Sequence, residues 1–148
     1  MNKKDTVVFD LDGTLLDTLE DLKNSVNYAM TQCGYPEHTL DEVRRYVGNG
    51  ILLLMQRAIP GGKDDPNFDK AFTLFKEHYG KHCNDTTKPY AGIMELLHTL
   101  KENNIKIAIV SNKADFAVKE LNAIYFKDLI LVAIGEKESE GIRKKPAP

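Results

Sequence analysis

Two carboxylates spaced two residues apart, Asp10 and Asp12, follow the apolar run Val7-Val8-Phe9 and precede Gly13 and Thr14. An aspartate is a competent nucleophile toward phosphorus, because the acyl phosphate it forms divides one difficult hydrolysis into two easier displacements. A second carboxylate beside it can protonate the leaving oxygen and later take a proton from water. Gly13 lets the backbone come close to phosphoryl oxygens, and neighbouring N–H groups with the Thr14 hydroxyl supply donors to them. The spacing therefore suits phosphoryl transfer, with Asp10 attacking and Asp12 moving the proton. The same residues also make an ordinary acidic strand-to-helix turn, in which Asp and Gly shape only the backbone.

Positioning such a pair requires a strand, and Val7-Val8-Phe9 reads as a buried strand of a parallel sheet. Its carboxyl end is where open α/β sheets carry their ligand crevice. Strand side chains alternate, so Asp10 and Asp12 share a side if the extended backbone continues that far. A second apolar strand is expected over Ile105 to Val110, ending in Ser111-Asn112-Lys113, and a third over Leu129 to Ile134. Ile93, Leu96, Leu97 and Leu100 mark a helix before the second strand; Ala117, Leu121, Ile124 and Tyr125 mark one after it. A hydroxyl residue between strand and helix is also a plain N-cap pattern, so Ser111 has a purely structural reading. Alternating strands and helices imply parallel crossover units.

Between Asp17 and about Lys88 the pattern is helical instead. Leu19, Leu22, Val26, Ala29, Met30 and Cys33 recur at helical spacing, begun by Asp17 with Glu20 and ended by Gly34. Thr39 with Glu42 forms a second capping box, and Gly48-Asn49-Gly50 breaks the chain. Ile51 to Ile59 is apolar almost all round, the pattern of a buried helix, and Asp65-Pro66 starts the next, with Phe68, Phe72, Phe75, Tyr79 and Cys83 as its inner stripe. His78 and His82 stand four apart with Cys83 adjacent, a spacing compatible with a divalent metal. No acidic third ligand has convincing spacing, and a solvated helix face is the favoured reading.

The full string Asp10-Leu11-Asp12-Gly13-Thr14-Leu15-Leu16-Asp17 resembles the first signature of the haloacid dehalogenase-like phosphohydrolases. Ser111-Asn112-Lys113 is similar to the family's second motif, and Lys145 in Lys145-Pro146-Ala147-Pro148 to its third. The resemblance implies a phosphate-binding hydroxyl at Ser111, a charge-neutralising Lys145, and Mg²⁺ held by the Asp10 carboxylate and the Asp12 backbone carbonyl. Its fold is an α/β Rossmann-like core of residues 1–16 and 87–148, interrupted by a helical cap of residues 17–86. The cap implies a small phosphorylated metabolite as substrate, with Lys88 to Gly92 as the return hinge. Arg44-Arg45-Tyr46-Val47-Gly48-Asn49-Gly50 resembles the phosphoglycolate phosphatase branch, which makes Arg45 a candidate for a substrate carboxylate. Most arginines on amphipathic helices are simply solvated.

The family's fourth, acidic motif would fall beyond Pro148, leaving the metal site short of a ligand and the sheet incomplete at its C-terminal side. With later strands absent the first strand becomes an edge, and self-association through that exposed edge is expected. The leading expectation is a Mg²⁺-dependent phosphomonoester hydrolase, with 2-phosphoglycolate as substrate and Asp10, Asp12, Lys145, Gly13, Thr14, Ser111, Asn112 and Arg45 in its site. The alternatives are a sugar phosphomutase with a similar cap and a non-catalytic fragment that keeps only the phosphate cradle.

Composition sets outer bounds. With 42% hydrophobic and 28% charged residues the chain can build a core and a solvated surface. A formal net charge of −2 offers no field for nucleic acid, so attraction for an anionic substrate must be local, from Lys113 and Arg143-Lys144-Lys145. No run approaches a transmembrane length and no signal peptide is evident, so no membrane contact and a cytoplasmic location are expected. Cys33 and Cys83 lack paired spacing and read as reduced, packed thiols.

Overall fold

The computed structural model of the chain describes residues 5–136. It divides into two compact units: Met1–Asp17 with Lys88–Pro148, and Thr18–Thr87.

The first unit is built on a three-stranded parallel sheet of order β1-β4-β5, where β1 is Thr6–Phe9, β4 is Lys106–Ala114 and β5 is Val132–Glu136. β1 pairs with β4 in unbroken register, from Thr6 opposite Lys106 to Phe9 opposite Ile109. A short antiparallel pair, β2 (Leu16–Asp17) with β3 (Lys88–Pro89), joins the two segments of the unit. Helices α5 (Ile93–Glu102) and α6 (Asp115–Tyr125) connect the strands, α6 carrying the crossover that parallel pairing of β4 and β5 requires. Leu11, Leu15, Leu16, Leu97, Ile107, Ile109, Val118, Leu121 and Phe126 form the core. β1 is an edge of the sheet among the described residues. It is covered on one face only: Val8 is 60% exposed, where the sequence pattern predicted burial.

Several boundaries differ from the sequence expectation. β4 runs four residues past Val110, carrying Ser111, Asn112 and Lys113 inside the strand and not in a turn. β5 starts at Val132, because Asp128, at φ +67, and the turn bonds from Leu129 and Ile130 to the Phe126 carbonyl take the preceding residues out of the ladder. β5 extends through Glu136, and Arg143, Lys144 and Lys145 lie outside the described residues.

The second unit contains α1 (Leu19–Gln32), α2 (Leu40–Tyr46), α3 (Ile51–Ala58), a 3₁₀ turn over Gly62–Asp64 and α4 (Phe68–His82). The stripes predicted for α1 and α4 pack together, with Val26, Ala29, Met30, Ala71, Phe75, Tyr79 and Cys83 buried. Thr39 and Glu42 make both halves of a capping box at α2, and the pull of the Thr39 N–H holds the Glu42 carboxyl below its ordinary pKa. Asp17 does not cap α1. It lies in β2, and the N-cap is Thr18, whose side chain does not cap the helix. α3 is one-sided where an all-round buried helix was expected: Leu54, Met55 and Ala58 face the core, while Leu52 is 41% exposed. α4 starts at Phe68 because Asp65 is engaged with Tyr35 and the Asn67 N–H.

His78 and His82 stack on one another, with His78 also stacked on Tyr28 and hydrogen-bonded to Ser25, and His82 paired with Asp85. No cluster of three or more His, Cys, Asp or Glu side chains able to hold a metal occurs among the described residues. Cys33 and Cys83 are outside any disulfide, Cys33 half-buried and Cys83 buried. Among the described residues no helix is long and apolar enough to cross a membrane.

Candidate active site

β1 ends at Phe9, opposite Ile109, so the chain leaves the sheet beside the residues that lead into Ser111. Asp10 is exposed, Leu11 is fully buried and Asp12 is half-buried, the alternation expected if the strand side-chain rule persists past the last ladder bond. Burying Leu11 in the core anchors the segment and turns both carboxylates away from it. The Leu11 N–H donates to the Asp10 carboxylate at 2.8 Å.

Residues 11–16 close into a tight turn around one carbonyl. The N–H groups of Thr14, Leu15 and Leu16 all donate to Leu11 O, and the Gly13 N–H donates to Leu16 O at 3.0 Å. The N–H groups of Gly13 and Thr14, proposed from sequence as phosphate donors, are therefore engaged in shaping the turn. Gly13 sits at φ +76, which favours glycine, and a side chain there would meet no atom within 4 Å. The glycine thus serves the backbone conformation and leaves open space in front of the turn. Thr14 is exposed at the same place.

β4 brings the second set of groups. Ile107, Ile109, Ser111 and Lys113 are buried along one face, with Asn112 half-buried on the other. The Lys113 N–H donates to Ser111 Oγ at 3.1 Å, which turns the hydroxyl hydrogen elsewhere. The ladder to β5 is irregular here: Val110 pairs with Ile134 and Ala114 with Glu136, so Ser111, Asn112 and Lys113 together stand opposite Gly135. Bulges of this kind re-aim side chains near functional sites. Gly135 fits because it has no Cβ, and its N–H donates to Asp115 Oδ1 at 2.8 Å.

The two sets meet at one ion pair, Lys113 Nζ to Asp12 Oδ1 at 3.3 Å. Sequence reasoning treated Lys113 only as local positive charge. The signal that would have found it is the period-two run Ile107, Ile109, Ser111, Lys113, which puts the ammonium on the inward face.

Arg45 lies on α2 in the other unit, exposed, beside an Arg44 that ion-pairs with Asp41. Arg57, which sequence reasoning did not single out, donates to the Tyr46 carbonyl at 2.8 Å and to Asn49 Oδ1 at 3.1 Å, tying the loop before α3. Lys145 lies outside the described residues. For a metal, Asp10 and the Asp12 carbonyl offer hard oxygen donors of the kind Mg²⁺ takes, alongside waters.

Known proteins resemble this chain in sequence and fold. The family model described as haloacid dehalogenase-like hydrolase matches residues 7–148. The chain is 33% identical over 147 residues to a phosphoglycolate phosphatase of Nitrosospira multiformis, covering 96% of this chain and 64% of that protein. It is 36% identical over 113 residues to that of Thiobacillus denitrificans, covering 74% and 50%. A crystal structure from Lactobacillus delbrueckii subsp. bulgaricus, of a protein proposed to be a phosphoglycolate phosphatase, superposes with a TM-score of 0.87 at 32% identity, covering 100% of this chain and 70% of that one. The chain thus spans about half to two thirds of the length of these curated relatives. With its signature carboxylates on the turn after β1 and its second motif on the bulged end of β4, the chain belongs to the haloacid dehalogenase-like hydrolase family.

Proposed function

We propose that the protein takes part in Mg²⁺-dependent hydrolysis of a small organic phosphate monoester, with 2-phosphoglycolate as substrate, through an aspartyl phosphate on Asp10. The observation that carries this reading is the convergence of Asp12 with Lys113, one residue from each of two strand ends, beside the exposed Asp10 and the buried Ser111.

In the first displacement a carboxylate oxygen of Asp10 bonds to phosphorus, the ester P–O bond breaks, and Asp12 delivers a proton to the departing oxygen. In the second, water attacks phosphorus, Asp12 takes its proton, and the acyl P–O bond breaks to restore Asp10. The Thr14 and Ser111 hydroxyls donate to the phosphoryl oxygens, where pre-aimed donors stabilise developing charge. Asp10 and the Asp12 carbonyl would hold Mg²⁺, which when bound offsets negative charge on the phosphoryl group. The names of the relatives support the substrate, and their greater length makes the activity of these 148 residues the point to measure.

Phosphate release from 2-phosphoglycolate and from an aryl phosphate, with and without Mg²⁺, tests the proposal. Release that needs Mg²⁺ and is abolished by Asp10→Asn is the expected result. No release from the wild-type chain would assign it the non-catalytic role of a phosphate cradle. Transfer of the phosphoryl group to a sugar hydroxyl in place of water would make it a mutase.

A further inference from the structure

Among the described residues β1 is an edge of its sheet, and the phase of its ladder decides which of its backbone groups are left over. The Lys106 N–H donates to the Asp5 carbonyl at 2.7 Å, with Thr6 opposite Lys106 in register. Bonding residues alternate along a parallel pair, so Val7 gives both its N–H and its C=O to β4. Thr6 and Val8 direct theirs the other way. Neither has a further backbone bond to a turn, loop or strand among the described residues, and both are exposed. Edge strands are commonly guarded by a charge, a proline or a bulge. Thr6–Phe9 carries none of these: its residues are Thr, Val, Val and Phe, and its register is unbroken.

We propose that this edge receives β1 of a second copy of the chain, antiparallel about a two-fold axis at Val7. Thr6 then stands opposite Val8 of the second copy, and Val8 opposite its Thr6, each pair exchanging N–H···O bonds in both directions. Val7 faces its own counterpart in the non-bonded position between them. This register uses every outward group of Thr6 and Val8. A slip of one residue would set Thr6 against a Val7 whose groups are committed to β4, and an axis at Val8 would send Thr6 to Asp10, past the end of the strand at Phe9. The contact is isologous, so it consumes the β1 edge of both copies and closes at two. Val8, 60% exposed in the single chain, gains the Thr6 side chain of the second copy as its cross-strand neighbour. The self-association expected from sequence thereby has a definite register.

The competing account is that two copies meet through the sheet face opposite Ile107 and Ile109, where Val132 and Ile134 are 44% and 39% exposed. Sedimentation equilibrium of the 148-residue chain and its variants separates the two. The wild-type mass should rise from one chain toward two as concentration increases to about 0.5 mM, the weak association that a small interface gives. Val8→Pro removes an outward N–H and sets a ring in the path of the second strand. It takes no bond from β4, so far-ultraviolet circular dichroism should match wild type. This variant and Val8→Lys, which keeps the N–H and adds a charge at the edge, should both be monomers; if the proline variant fails to fold, the lysine variant decides. Val132→Lys should dimerise like wild type. Mild oxidation of Val7→Cys should link the copies at position 7, because a non-bonded antiparallel pair holds its Cα atoms about 4.5 Å apart, within reach of a disulfide. A wild-type chain still monomeric at about 0.5 mM overturns the proposal, as does growth past two copies. So does a dimer that survives Val8→Lys or is lost in Val132→Lys, which would assign the contact to the sheet face, and so does a Val7→Cys dimer without a link at position 7.

Discussion

Asp21, in the first turn of α1, is 2% exposed and faces the far end of its own unit. Its carboxylate accepts the Thr86 N–H at 3.0 and 2.9 Å, the Thr86 hydroxyl at 2.8 Å, the Thr87 N–H at 2.9 Å and the Thr87 hydroxyl at 2.8 Å. One side chain therefore fastens the two chain ends of the helical unit to each other. In Asp21→Ala the Thr87 hydroxyl can turn fully to the Cys83 carbonyl, already 3.1 Å away, and the exposed Thr86 can turn to water. The buried Thr87 N–H has neither recourse, and stranding such a donor costs about 1–3 kcal/mol. Losing the charge-assisted bonds adds about 1.5–3 kcal/mol, counted once because bonds to one carboxylate are not additive. The expected loss is about 2.5–6 kcal/mol. Asp21→Asn, which keeps one acceptor oxygen and turns an NH₂ toward a donor, should lose about half of that. Urea unfolding followed by far-ultraviolet circular dichroism measures both. A loss under about 1 kcal/mol for Asp21→Ala, the size of an ordinary surface change, would refute the view that this carboxylate closes the unit.

Three further perturbations probe other parts of the structure. In Gly135→Ala the new methyl would lie 2.4 Å from Asp115 Cα, 2.5 Å from the Lys113 carbonyl and 2.6 Å from the Asp115 N, all backbone atoms that cannot swing aside. The expected cost is about 1–3 kcal/mol or more, with faster amide exchange at residues 113–115; an unchanged denaturation midpoint would contradict it. Burial, and then the neighbouring His82 charge, hold the His78 pKa below 6.5 against the opposing pull of Asp85. The folded state then binds this proton less readily than the unfolded state. His78 contributes stability that is full above pH 6.5 and is lost as pH falls through its lower folded value. His78→Gln should flatten that part of the stability profile, and parallel wild-type and variant profiles would count against it. Thr39→Ala removes the acceptor for the Glu42 N–H and should cost about 1 kcal/mol by thermal unfolding, whereas a stability equal to wild type would show the cap to be idle.

What the sequence made legible was local. The α1 and α4 stripes, the Thr39–Glu42 cap and the placement of Asp10 at a strand end follow from periodicity and capping, each readable within a few residues. The misses are long-range. Nothing near Asp17 says that it will pair with Lys88 across the helical insertion, so its acidic character read as a cap. Val8 read as buried because an apolar β-branched run carries no mark of whether a neighbouring strand or helix will cover its second face. Asp21 passed unnoticed as one more first-turn acid, since the two threonines that give it its role lie 65 and 66 residues away.

The end of β4 is the most instructive of these, because there a local rule was available and a stronger local habit overrode it. Ser, Asn and Lys after an apolar run ordinarily announce a loop, so the sequence predicts a strand that ends at Val110. The period-two rule nevertheless continues through Ser111 and Lys113, and two distant features make that continuation affordable in physical terms. Gly135 lets the backbone of residues 113–115 approach where any side chain would collide, and Asp12 neutralises the ammonium that the continuation drives inward. Each of these conditions is costly to meet and useless to a structural strand, which would gain more by ending in another isoleucine and keeping its ladder regular. A buried lysine paired with a half-buried aspartate, with a bulge and a glycine that admits no side chain, lies at the carboxyl end of a parallel sheet, where open α/β sheets carry their ligand crevice.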